Sequence, residues 1–102
     1  MSDLIAGASQ FDISPKDSQF LFGYPHVKRY STGIHDRLLS PALYLCNASE
    51  QIMFIANDII FLSKEMVHKI RKELEIETGI KGENIMITTT HTHSGPHTVN
   101  YI

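Results

Sequence analysis

An α/β fold built on a mixed β-sheet is what the sequence predicts, and three observations carry that prediction. Two β-rich runs, "QIMFIAND" and "IMITTTHTH", flank a stretch whose apolar residues repeat at helical spacing, so residues 51 to 93 read as strand, helix, strand. A further apolar run, "LLSPALYLC", precedes them across the polar cluster "NASE", the composition of a hairpin turn. The βαβ unit demands parallel strands joined by a right-handed crossover, whereas the hairpin demands an antiparallel pair, hence a mixed sheet. With 102 residues there is room for one small domain, which buries on the order of 60 to 65% of the surface its unfolded chain exposes.

The elements follow in order. "LIAGASQFDISP" is short, apolar and β-branched near its end, and Pro15 stops it, so it reads as the first strand. From Lys16 to Arg37 neither helical nor strand period holds over about twenty residues, and loops of that length in a compact domain are functional or disordered. Its aromatics and glycines favour an ordered loop. After the hairpin, Ser63 is placed to cap a helix that lines one face with Met66, Val67, Ile70 and Leu74 and ends at Gly79. The charges on its other face, among them Lys64, Lys69, Lys72 and Glu73, read as a solvated surface.

Composition excludes several function classes. A formal charge of −2 gives no footprint for a polyanion, so no nucleic-acid partner is expected. The lone Cys46 cannot close an internal disulfide and reads as a small buried apolar residue in mid-strand, while "MSDLIAGASQ" has no signal-peptide pattern, which points to the cytoplasm. No apolar run reaches the roughly 20 residues that span a bilayer. Phosphate-binding and nucleophile-elbow motifs are absent.

Chemistry concentrates at one predicted rim. In parallel strands the carboxyl ends share an edge, and ligands gather outside it. Asp58 closes the first strand of the βαβ unit and His91 and His93 close the second. Residues two apart in extended backbone point the same way, so the two imidazoles can face one metal site. Asp58 can orient that site, cap the following helix or bind loop amides. His97, beyond the "SGP" turn, is a weaker candidate; His26 and His68 read as ordinary surface residues.

These residues also carry a resemblance. "THTHSGP" after a βαβ unit, with "AGASQFDISP", "FGY" at 22 to 24 and "GIHDRL" at 33 to 38, is similar to the N-terminal portion of neutral/alkaline non-lysosomal ceramidases. The segments occur in that family's order and cover almost the whole chain. The resemblance implies a zinc-dependent amide hydrolase acting on N-acylsphingosines or related N-acyl amides, small-molecule or lipid. It implies that His91 is a zinc ligand, and that His93, His35 and the backbone at Gly23 line the substrate pocket, with His93 or His35 positioned for proton transfer. Arg37, assigned with the substrate-binding residues, would be an electrostatic or structural support, and Asp58 would orient the site behind the ligands. The family's remaining ligands, a second histidine, a glutamate and a tyrosine, lie beyond "HTHSGP", so the resemblance implies an N-terminal fragment of a larger α/β hydrolase domain, inactive alone. The apolar, β-prone ending "TVNYI" points the same way. A rival expectation is a non-catalytic binding or assembly module, whose histidines are satisfied within each chain or bind metal only across a homo-oligomer interface.

Overall fold

The computed structural model describes residues 3–17, 19, 30–34 and 36–96. Four strands, β1 (Ile5–Asp12), β2 (Leu39–Cys46), β3 (Gln51–Asn57) and β4 (Ile85–Thr89), form one sheet in the order β1-β2-β3-β4. The first two pairings are antiparallel; β3 and β4 are parallel, from Met53↔Ile85 to Asn57↔Thr89. The mixed sheet and its βαβ unit are thus as the sequence predicts.

Local chemistry explains the turns. Between β2 and β3 the Asn47 side chain accepts hydrogen bonds from the backbone N–H groups of Ser49 (3.0 Å) and Glu50 (2.8 Å), an Asx arrangement that closes the hairpin at Cys46↔Gln51. Cys46 is therefore the last residue of its strand, and it is half-buried. The helix α1 spans Lys64–Thr78. Ser63 Oγ accepts from Met66 N–H at 3.1 Å, and Gly79, at φ 76°, donates its N–H to Glu75 O at 2.9 Å. That left-handed conformation is one a glycine adopts without a Cβ penalty.

The inner face of α1 departs from expectation at one position. Val67, Ile70 and Leu74 are half-buried, but Met66 is exposed and Arg71 takes the fourth inward place. Positions 67, 70, 71 and 74 follow the i, i+3, i+4, i+7 rule, which leaves 66 on the flank. Arg71 is half-buried and its Nε donates to Ile85 O at 3.0 Å, tying the helix to the start of β4. Among the described residues the fully buried apolar side chains are Ile60, Ile80 and Ile85, all at the junctions between the sheet and the crossover.

Candidate functional site

β3 and β4 end at the same edge, and the chain leaves each strand under tight hydrogen-bond control. Thr90 N–H still donates to Asn57 O at 2.9 Å, continuing the parallel ladder beyond β4, and His91 N–H donates to Ile59 O at 3.0 Å. His91 then turns at φ 61°, a left-handed conformation uncommon for a non-glycine residue and a mark of functional constraint. The expected strand over "IMITTTHTH" therefore stops at Thr89. His91 and His93 come together through this turn and not through extended alternation; their ring centroids lie 5.0 Å apart at 67°.

The His91 ring is held on two sides. Nδ1 lies 3.1 Å from Ile60 O, and a carbonyl can only accept, so Nδ1 is the donor in this contact and, in the neutral ring, the lone pair falls on Nε2. Phe61 packs edge-on against the ring, centroids 4.9 Å apart. An imidazole whose other nitrogen donates to a backbone carbonyl is in the tautomer and orientation that a metal ligand uses. Ile60 O also accepts from Thr89 Oγ1 at 3.3 Å. Neither Phe61 nor the Ile60 carbonyl is signalled by sequence spacing, because their role follows from where the chain bends after β3.

Asp58 occupies the rim, and the amide its side chain binds belongs to a strand, where a helix cap or loop amides were the open alternatives. Its Oδ2 accepts from Leu39 N–H at 2.8 Å while its own N–H donates to Leu39 O at 2.9 Å. It binds a backbone amide of β2, and the helix cap falls to Ser63. Next to it, Asn57 Oδ1 accepts from Ser40 Oγ at 2.8 Å and Asn57 Nδ2 donates to Thr88 O at 3.2 Å, so polar side chains lace three strands together at their ends.

A cavity of about 1220 Å³ opens beside this rim. Asp58, Thr90, Thr92 and Ser94 form one wall, and Lys16, Asp17, Tyr30, Asp36 and Arg37 are among the residues of the facing loop wall. The described residues of the irregular segment between β1 and β2 thus line the cavity. Its base is pinned where Ser31 N–H donates to Gln19 O and Gln19 N–H to Ser31 Oγ, each at 2.8 Å. His91 and His93 alternate with the cavity-lining threonines and are not themselves among its lining residues. The "TTTHTHS" alternation carried that signal for the threonines.

Arg37 lines the cavity, with its Nε 3.4 Å from Asp12 Oδ2. The Ser14 backbone N–H, 2.8 Å from Asp12 Oδ1, holds this carboxyl below its ordinary range, helped by the Ser14 hydroxyl and then by the Arg37 charge. Ser14 Oγ at the same time accepts from Leu38 N–H at 2.8 Å. Gly95 is buried against the rim: a Cβ there would meet Thr92 Cγ2 at 3.3 Å and Leu38 Cδ1 at 3.5 Å. Gly23, His26, His35 and His97 lie outside the described residues. Among the described residues no cluster of three or more His, Cys, Asp or Glu side chains is placed to hold a metal.

The comparisons with known proteins agree on one family. A family model described as neutral/alkaline non-lysosomal ceramidase, N-terminal, matches residues 5–101. Neutral ceramidase 3 of Arabidopsis thaliana is 29% identical over 99 residues, covering 93% of this chain and 14% of its own, and a neutral ceramidase of Oryza sativa is 28% identical with 13% of its length covered. The crystal structure of neutral ceramidase from Pseudomonas aeruginosa superposes with a TM-score of 0.81 at 25% identity, over 94% of this chain and 16% of that one. A ceramidase solved in complex with C2 gives 0.76 at 28% identity, over the same shares. This chain thus spans about one seventh of the length of the curated relatives it matches. It belongs to the neutral/alkaline non-lysosomal ceramidase family, and corresponds to the N-terminal part of that family's sequence.

Proposed function

We propose that this chain is the N-terminal part of a zinc-dependent amide hydrolase acting on N-acylsphingosines or related N-acyl amides. The observation that carries the reading is His91: a rim histidine at φ 61° whose Nδ1 faces the Ile60 carbonyl at 3.1 Å, which in the neutral ring puts on Nε2 the lone pair a metal would take. Its family membership supplies the reaction class.

The donor set fits zinc in kind and falls short in number. Neutral imidazole nitrogen is a preferred zinc donor, and a catalytic zinc keeps one position open beside its protein ligands. His91 supplies one such nitrogen, and the others come from outside the described residues. When bound, zinc supplies a Lewis acid for the amide carbonyl and a water acidified to near neutrality. The remaining work belongs to side chains. His93, beside His91 at the same turn, and His35 are assigned to hydrogen-bond the developing oxyanion and to protonate the leaving amine. Arg37 and the backbone at Gly23 are assigned to substrate binding, and the position of Arg37 on the cavity wall supports its part. Asp58, through Leu39, keeps the rim in register behind His91.

The test joins this chain to the remainder of a family domain and measures bound zinc and N-acylsphingosine hydrolysis. His91→Ala is expected to remove both while the fold persists. Hydrolysis that survives this change, or hydrolysis by the 102-residue chain alone, would overturn the reading.

A further inference from the structure

Three consecutive residues, 59 to 61, touch His91 at three places. Ile59 O accepts from the His91 N–H at 3.0 Å, Ile60 O lies 3.1 Å from Nδ1, and the Phe61 ring packs edge-on against the imidazole, centroids 4.9 Å apart at 62°. The segment is itself anchored: the Ile60 side chain is only 2% exposed, and its carbonyl also accepts from the Thr89 hydroxyl at 3.3 Å. His91 lies beyond the end of β4 at φ 61°, so no ladder partner aligns its side chain. The χ2 torsion of an imidazole is broad and roughly two-fold, and by itself chooses neither which nitrogen faces inward nor the tilt of the ring. The Ile60 carbonyl chooses the nitrogen. One hydrogen bond still lets the ring rock about the line from Nδ1 to the oxygen, and a contact on the flank of the ring limits that motion. Two rings supply such contacts, Phe61 and His93, the latter 5.0 Å away at 67°. His93 is assigned to proton chemistry, whereas Phe61 has no ionisable or hydrogen-bonding group and contributes shape.

We propose that Phe61 is a positioning residue: its ring edge holds the tilt of the His91 imidazole, so that Nε2 is presented to zinc in one direction. The inference rests on the zinc reading of His91 and adds to it a side chain with no donor atom of its own. A ligand group has to be held within about 0.5 Å and 10–20° of its working geometry, and side chains behind a metal-binding histidine change metal affinity when they are removed. Exposure separates Phe61 from the residues that build the core. It is 41% exposed, while Ile60 beside it is 2% exposed. The two neighbours thus divide the work: Ile60 anchors the segment in the interior, and Phe61 reaches out along the rim to the imidazole. Loss of an exposed ring leaves no large cavity, so the fold survives changes at position 61 that the metal site feels. The expected effect is about a two- to tenfold change in zinc affinity, the strength of an edge-on aromatic pair.

The experiment uses the chain joined to the remainder of a family domain and reads metal binding, not activity. Zinc affinity is measured by competition with a chelator, the geometry of the site by the absorption of cobalt(II) bound in place of zinc, and the fold by the urea midpoint of the metal-free protein. Phe61→Leu keeps the apolar bulk and loses the flat ring edge; it is expected to weaken zinc binding by about two- to tenfold and to alter the cobalt spectrum, with the urea midpoint unchanged. Phe61→Tyr keeps the edge and is expected to match the parent in all three. Ile76→Ala, at a 75% exposed position of α1, is expected to change none of them. The proposal is overturned if Phe61→Leu binds zinc and cobalt as the parent does, if Phe61→Tyr is as weak as Phe61→Leu, or if the loss of affinity comes with a lowered urea midpoint, the mark of a merely structural role. Zinc that His91→Ala fails to release would bring down the functional reading and this inference together. Zinc that depends on His91 and not on Phe61 would bring down this inference alone.

Discussion

Leu39 and Asp58 exchange two hydrogen bonds at the rim, and one of them uses a carboxylate where a β-ladder would use a carbonyl: Leu39 N–H reaches Asp58 Oδ2 at 2.8 Å and Asp58 N–H reaches Leu39 O at 2.9 Å. The regular β2–β3 pairing ends at Ala42↔Ile55, next to Pro41, which has no N–H to give. Asp58 restores the register three residues further along. From there Ile59 and Ile60 turn their carbonyls onto His91.

Removing that carboxylate leaves a half-buried N–H without its acceptor. Asp58→Ala is expected to destabilise the fold by about 1–3 kcal/mol, and Asp58→Asn by less than half as much, because the amide oxygen can still accept. Urea denaturation of the two variants measures the difference. Equal losses would show that the charge, and not the hydrogen bond, holds the rim.

The helix ends respond independently. Ser63→Ala removes the acceptor for Met66 N–H and is expected to cost about 1 kcal/mol, and Gly79→Ala forces a Cβ into a left-handed residue for about 1–2 kcal/mol. Thermal melts of the single and double variants should be additive, since the caps stand at opposite ends of α1.

Asp12 makes stability depend on pH in a defined direction. Its carboxyl is held low in the fold by Ser14 first and Arg37 second. The folded state therefore favours the ionised form, and this contribution is present above the unfolded carboxylate value and lost as pH falls through the lower folded value. Asp12→Asn is expected to be less stable than the parent at neutral pH, with the two melting curves converging in acid. Arg37→Ala is expected to move the Asp12 titration upward by less than Ser14→Ala does. Denaturation across an acid pH series, with carboxyl titration by NMR, checks both.

Gly95 faces methyl groups at close range. Gly95→Ala needs a few tenths of an ångström from Thr92 Cγ2, a side-chain terminus, and makes ordinary contact with Leu38 Cδ1, so a loss under about 1 kcal/mol is expected. Gly95→Val overpacks the same space, where the Asp58 carbonyl also lies, and is expected to cost about 1–3 kcal/mol. Denaturation midpoints separate these cases; a Val variant as stable as the parent would mean that the "SGP" turn swings away freely.

The strands, the hairpin turn and both helix caps were legible because each is fixed by a local rule: alternation, an Asx turn, Ser63 and Gly79. The convergence of Asp58 with His91 at one rim followed from the βαβ unit, which sends both strand ends to the same edge. How the two histidines meet was not legible, since it depends on His91 leaving the strand at φ 61°, and that turn is imposed by carbonyls of residues 59 and 60 some thirty positions away. The inward place of Arg71 was hidden because periodicity scores it as a surface charge, whereas its bond to Ile85 O makes it a tie.

The most direct test of the account is the protonation of His91, read by long-range nitrogen NMR of the imidazoles before and after addition of zinc. The account predicts that His91 carries its proton on Nδ1 without metal, and that zinc moves its Nε2 resonance when the chain is joined to the rest of its family domain. A His91 protonated on Nε2, with resonances indifferent to zinc in a chain joined to the rest of its family domain, would contradict it.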